Sequence, residues 1–172
     1  MIGNKILIIG CSGAGKSYFA RQLNELSNIP LYYLDCIFWK ENWTHITRDE
    51  LLEETKKIME KPSWIIDGNY LKTLEERFKE ADTIFFLDLP QEDCIKAEAL
   101  RRGTKRPDLP DYLVEEYDPE FIDFIKSFKS TKRPIILSLM DKYKDKIYYT
   151  FKSRQEKDLW LDKYAKYLSS KI

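Results

Sequence analysis

Eight consecutive residues restrict this chain more than any other feature. Gly10-Cys11-Ser12-Gly13-Ala14-Gly15-Lys16-Ser17 fits the pattern GxxxxGK[ST] in full. It follows a continuous apolar run, Ile6 to Ile9, and precedes a segment in which Phe19, Ala20, Leu23 and Leu26 share one helical face. A buried strand, a glycine loop and a helix in that order turn backbone N–H groups inward around an anion. The glycines permit conformations that side chains would block. Lys16 is expected to reach the β- and γ-phosphates of a nucleoside triphosphate, and the Ser17 hydroxyl to ligate magnesium. The cofactors expected are therefore ATP (or GTP) and Mg2+.

The remainder of the chain alternates. Strands are expected at 5–9, 31–34, 64–67, 83–88 and 147–151. Helices are expected at about 16–26, from a Thr47 cap to about Glu60, at 71–80, 92–102, from Pro119 onward and at about 154–168. The stretch 133–144 contains PIILSL, which fits a strand, but its periodicity and position favour a helix. Alternating strands and helices imply an α/β fold: a parallel sheet with helices on both faces. No repeat or flexible linker interrupts the 172 residues, so 1–172 reads as a single domain. The polar, proline-containing segment at about 103–118 reads as a loop or short lid.

Right-handed crossovers bring the C-terminal ends of the strands to one edge, where Gly10, Asp35, Asp67 and Asp88 fall. Asp67 is the candidate magnesium carboxylate beside Ser17. Asp35 is the candidate group that orients or deprotonates an acceptor. Asp88 reads better as a strand-end turn former. Phe38, Trp39 and Trp43 suit either the apolar wall of an acceptor pocket or packing under the next helix. Arg101, Arg102, Lys105 and Arg106 crowd positive charge into six residues entering the lid segment. They fit a lid that brings arginines onto a transferring phosphoryl group, or a solvated helix end.

Lysine plus arginine equals aspartate plus glutamate, at 29 each. Such a balance gives no general attraction to nucleic acid, and acidic residues crowd the segment after Arg106. Three cysteines without metal spacing, one histidine and no long apolar run point away from zinc, histidine triads and membrane spans. They point toward a reduced, cytoplasmic setting.

The set GxSGxGKS, LD with Trp39 four residues after Asp35, WIIDGNY, and the arginine-rich segment running into RPDLP resembles the bacterial DNA topology modulation protein family. That family is a branch of the adenylate-kinase-like P-loop proteins. The resemblance covers nearly the whole chain and implies a sheet in the order 2-3-1-4-5, an ATP site and a lid. It matches Asp67-Gly68 to the Asp-Gly of nucleoside monophosphate kinases, and Arg102 and Arg106 to their lid arginines. Arg133 is a weaker match to a later phosphate-binding arginine. Where adenylate kinases continue Phe-Pro-Arg, this chain has Asn69-Tyr70. Asp35 beside aromatic residues looks more like the small-metabolite and nucleoside kinases of the same fold.

The function expected is a kinase moving the γ-phosphoryl of Mg-ATP to a nucleoside, nucleotide or other small acceptor. Lys16, Asp35, Arg102 and Arg106 would be catalytic, Gly10 to Ser17 with Arg102 would bind the nucleotide, and Ser17 and Asp67 would hold the metal. The protein would act as a monomer or homodimer. The alternative is a regulatory nucleotide-binding protein that affects DNA topology through a partner or DNA and uses no small acceptor.

Overall fold

The computed structural model describes residues 2–171. Five strands, β1 (Lys5–Gly10), β2 (Leu31–Tyr33), β3 (Trp64–Asp67), β4 (Thr83–Leu87) and β5 (Ile147–Phe151), form one all-parallel sheet in the order β2-β3-β1-β4-β5. The helices around it are α1 (Lys16–Ser27), α2 (Leu34–Phe38), α3 (Arg48–Met59), α4 (Leu71–Glu80), α5 (Gln91–Arg101), α6 (Pro119–Thr131), α7 (Arg133–Lys142) and α8 (Arg154–Ser169). Fold class and strand order are those the sequence implied.

Burial explains why the central strands read as unbroken apolar runs. Ile6 to Ile9, Trp64 to Ile66 and Ile84 to Leu87 are completely buried, as parallel strands covered on both faces must be. Phe19 of α1 stands edge-on to Phe85 at 4.8 Å and to Phe151 at 5.6 Å, joining helix to sheet. At the sheet edges, β2 and β5 keep partly exposed residues.

Local chemistry sets the helix ends. Thr47 and Glu50 form a reciprocal capping box on α3. Asp118 caps α6 by accepting from Glu120 N–H, with Pro119 in the first turn. Residues 133–142 are helical, with Ile136 and Leu139 buried three positions apart.

Most boundaries fall within a residue of expectation, the fourth strand ending at Leu87 instead of Asp88, but α2 was not expected. The second strand ends at Tyr33 instead of Leu34, so Asp35 lies in the first turn of α2. Tyr33 pairs with Asp67, the last residue of β3, so residue 34 has no backbone left to pair with on that side. The chain turns helical there and buries Leu34 under Gly68.

The loop between β3 and α4 is fixed by a buried guanidinium. Arg77 is fully buried and donates to the carbonyls of Gly68 (2.6 Å), Asn69 and Tyr70 (3.1 Å). Burial lowers its pKa to about 9. Replacing it with methionine keeps the bulk but strands three carbonyls, each costing on the order of 1 kcal/mol. Arg77→Met is expected to lower unfolding free energy in urea by about 2–4 kcal/mol. A loss below about 1 kcal/mol would show that these contacts hold nothing together.

Candidate active site

The loop from Gly10 to Ser17 takes its shape from close backbone approach. Gly10 has φ 147°, and a Cβ there would lie 2.4 Å from the Leu87 carbonyl oxygen. A Cβ on Gly13, at φ 84°, would lie 2.1 Å from the Cys94 carbonyl oxygen of α5. Neither position admits another residue without moving backbone. No side chain caps the N-terminus of α1, so its first amides stay free for an anion. Lys16 reaches back across the loop and donates to the Cys11 carbonyl at 3.1 Å. Its ammonium thus already spans the space that the loop encloses.

Ser17, one residue into α1, faces the carboxylate at the end of β3. Its hydroxyl lies 2.7 Å from Asp67 Oδ2. Asp67 is paired in register with Ile8 of β1 on one side and Tyr33 of β2 on the other, which places it at the sheet edge beside the loop. Its Oδ1 is buried without a partner. Burial pushes its carboxyl up to about 6, against the pull of Lys16 and the Ser17 hydrogen bond. Asp35 is also raised, chiefly by burial, although Tyr70 donates to its Oδ1 at 2.5 Å.

These groups share one cavity of about 860 Å³. Ser12, Lys16, Ser17, Asp35 and Asp67 line it, together with Trp39, Trp43, Asn69 and Tyr70. The aromatic residues divide between the two expected roles. Trp39 and Trp43 face the cavity and meet edge-on at 5.4 Å. Phe38 packs instead against His45 and Tyr70. Tyr112 ties the 102–118 loop to this wall by donating to the Trp39 carbonyl at 3.2 Å.

Of the clustered arginines, Arg101 and Arg106 line the cavity and Arg102 does not. Arg102 forks onto the buried Glu98 and lies over the Tyr117 ring at 4.8 Å. Arg106 donates to Asp108 at 2.9 and 3.2 Å and to Glu115 at 2.5 Å, while Arg101 donates to Glu115 at 3.0 Å. Asp108 Oδ2 in turn lies 2.9 Å from Ser17 Oγ. In the sequence Arg101 is one of a basic run and Asp108 one of the acidic residues that follow it, and neither is singled out. The available signal was the spacing: Asp108 stands two residues after Arg106 across Pro107, close enough to pair.

Asp88 and Arg133 lie apart from this cavity. They pair with each other through two guanidinium nitrogens, at 2.9–3.0 Å, and Lys152 joins them. Burial raises the Asp88 carboxyl, but these cations hold it below its ordinary value. That ion pair lines a second cavity with Cys11 and Phe128.

Among the described residues, no group of three or more His, Cys, Asp or Glu side chains is arranged to hold a metal alone. Ser17 and the orphaned Asp67 oxygen fit a magnesium ion that keeps water and borrows phosphate oxygens.

No protein-family model matches the chain. Among solved structures, it is similar to a shikimate kinase from Bacteroides thetaiotaomicron, with TM-score 0.60, 17% identity, and 95% of this chain and 97% of that one covered. A shikimate kinase from Aquifex aeolicus gives TM-score 0.56 and 20% identity, covering 96% of each chain. A shikimate kinase from Acinetobacter baumannii in complex with shikimate gives TM-score 0.59 and 17% identity, covering 98% and 95%. At these identities the likeness shows a shared fold. Among curated proteins, it is 27% identical over 143 residues to a glutamate–tRNA ligase of Pelagibacter ubique. That match covers 80% of this chain, which spans only 29% of the ligase's length. No helix among the described residues is long and apolar enough to cross a membrane.

The buried carboxylates make stability depend on pH in a definite direction. Asp67 titrates at about 6 when folded, against 3.8 for an unperturbed carboxyl. Folded protein therefore retains a proton that unfolded protein has lost, and stability falls as pH rises through this window. Burying the ionised carboxylate therefore costs about 3 kcal/mol above pH 6. Asp67→Asn is expected to stabilise the ligand-free protein at pH 7.5 by about 1–3 kcal/mol. The gain should shrink toward zero near pH 4 in paired denaturation curves. A difference that does not vary with pH would contradict the assigned burial cost.

Proposed function

We propose that this protein is an ATP-dependent phosphotransferase acting on a small acceptor that binds beside Asp35. One observation carries the reading: Lys16 and Ser17 of the phosphate loop open into the same cavity as Asp67 at the end of β3, Asp35 in the first turn of α2 and an aromatic wall. The kinase fold of the structural neighbours supports it.

In this mechanism the amides from Gly10 to Ser17 cradle the phosphates of ATP. Ser17 and Asp67 would hold magnesium, which would supply positive charge to offset that of the phosphates. Asp35 takes the proton of the acceptor hydroxyl as that oxygen bonds to the terminal phosphorus. Its raised affinity for protons suits it to that task. Lys16 neutralises charge accumulating on the departing diphosphate, and Arg106 does the same from the lid segment 103–118. Trp39 and Trp43 exclude water and cover the acceptor. Arg101 lines the cavity, whereas the participation of Arg102 would require it to leave Glu98. Membership of the DNA topology modulation family is part of the same proposal and rests on the motif set.

Incubating the protein with Mg-ATP and a panel of nucleosides, nucleotides, sugars and other small alcohols is expected to reveal ADP release that depends on one acceptor class. With that acceptor, Asp35→Asn should lower kcat by about 10²–10⁴ while leaving KM for ATP within a few-fold. Nucleotide binding without turnover across the panel would count against the kinase and favour the regulatory alternative.

A further inference from the structure

Two buried carboxylates from distant parts of the chain converge on one hydroxyl. Ser17 Oγ lies 2.7 Å from Asp67 Oδ2 and 2.9 Å from Asp108 Oδ2, and these aspartates are only 5% and 7% exposed. A hydroxyl has one proton, so it can donate to one of these oxygens and not to both. Asp67 Oδ1 is buried with no partner at all. Asp35 adds a third carboxylate close enough to act on Asp67. The cations facing the cluster are Lys16, which donates to the Cys11 carbonyl, and Arg106, whose fork is divided between Asp108 and Glu115. Buried acidic oxygens outnumber the protons offered to them, and a hard divalent cation is the partner such oxygens accept best.

Asp108 is held in this position from both sides. Arg106 grips its carboxylate through two nitrogens. Just before it, the Pro107 carbonyl accepts a weak hydrogen bond from the Cys36 thiol at 3.6 Å, and just after it Tyr112 is anchored to Trp39. The loop therefore brings one oxygen donor to the phosphate loop while its flanks rest on the acceptor side of the cavity.

We propose that Asp108 is a direct oxygen donor to the divalent cation held by Ser17 and Asp67, so that seating the 102–118 loop and binding the metal are one event. The proposal rests on the kinase reading, because the cation is the one that accompanies the nucleotide. Water and phosphate oxygens complete its coordination. A cation on Asp108 Oδ2 competes with Arg106 for that oxygen, and thereby frees part of the guanidinium fork to meet a phosphate.

Manganese is the probe, with free Mn2+ read by electron paramagnetic resonance in the full chain, without nucleotide and with ADP. Asp108→Asn is expected to weaken Mn2+ binding by about tenfold or more in both states. Its ADP affinity in EDTA should hold or rise, since a negative charge near the phosphates has been removed. Glu115→Gln loosens the Arg106 anchor but leaves the donor, and should change Mn2+ affinity by less than about threefold. Thermal unfolding of both variants checks that they are folded. Wild-type Mn2+ affinity in Asp108→Asn, equal losses in the two variants, or no Mn2+ binding by the wild type would each overturn the assignment. Any of these results alongside intact ADP binding and acceptor-dependent turnover would leave the kinase reading standing, so the two fail separately.

Discussion

The two halves of the cavity are joined through a guanidinium that never touches it. Arg77 is fully buried in α4 and holds the carbonyls of Gly68, Asn69 and Tyr70. With the backbone so fixed, the Asn69 side chain clamps both polar groups of Gly10. It accepts from the Gly10 N–H at 3.0 Å and donates to the Gly10 carbonyl at 2.7 Å. The next residue, Tyr70, reaches the other way and donates to Asp35. One short loop therefore sets where the phosphate loop begins and how the candidate acceptor carboxylate is oriented. These hydrogen bonds link both ends of the cavity in one polar network, although the buried Nε of Arg77 has no partner.

That arrangement also explains what replaces Phe-Pro-Arg after Asp67-Gly68. A proline at 70 would lack the phenolic hydroxyl on Asp35, and a phenylalanine at 69 would lose both bonds to Gly10. Asn69 and Tyr70 thereby fix the phosphate loop at one end of the cavity and Asp35 at the other. The two carboxylates of this site are costly in the ligand-free fold, since desolvation works against the charge on both Asp35 and Asp67. Local rules broken at a site, inside a core that obeys them elsewhere, are the pattern expected where charge is kept for chemistry.

Much of this was legible before any coordinates. The apolar runs around Ile8, Ile66 and Phe85 identify covered parallel strands because neither face alternates. Thr47 and Pro119 mark helix starts by chemistry that depends only on neighbours in sequence. The phosphate loop is legible for the same reason. What the sequence did not reveal depends on tertiary pairing. The end of the second strand was placed one residue late because it is decided by where β3 stops, at Asp67. Arg102 was preferred to Arg101 because a run of arginines carries no sign of which one the buried Glu98 claims. Asp108 is indistinguishable from its acidic neighbours in sequence because its partner, Ser17, lies ninety-one positions earlier.

The account as a whole depends on inward-facing amides and the Lys16 ammonium forming a polyphosphate site. Titrating Mg-ATP into the purified protein by calorimetry, beside Lys16→Ala, tests this most directly. The structure predicts saturable binding by the wild type and a loss of about 2–3 kcal/mol, some 30- to 150-fold in Kd, on removing one charge-assisted contact. Equal affinity in the two proteins, or none in the wild type, would contradict it.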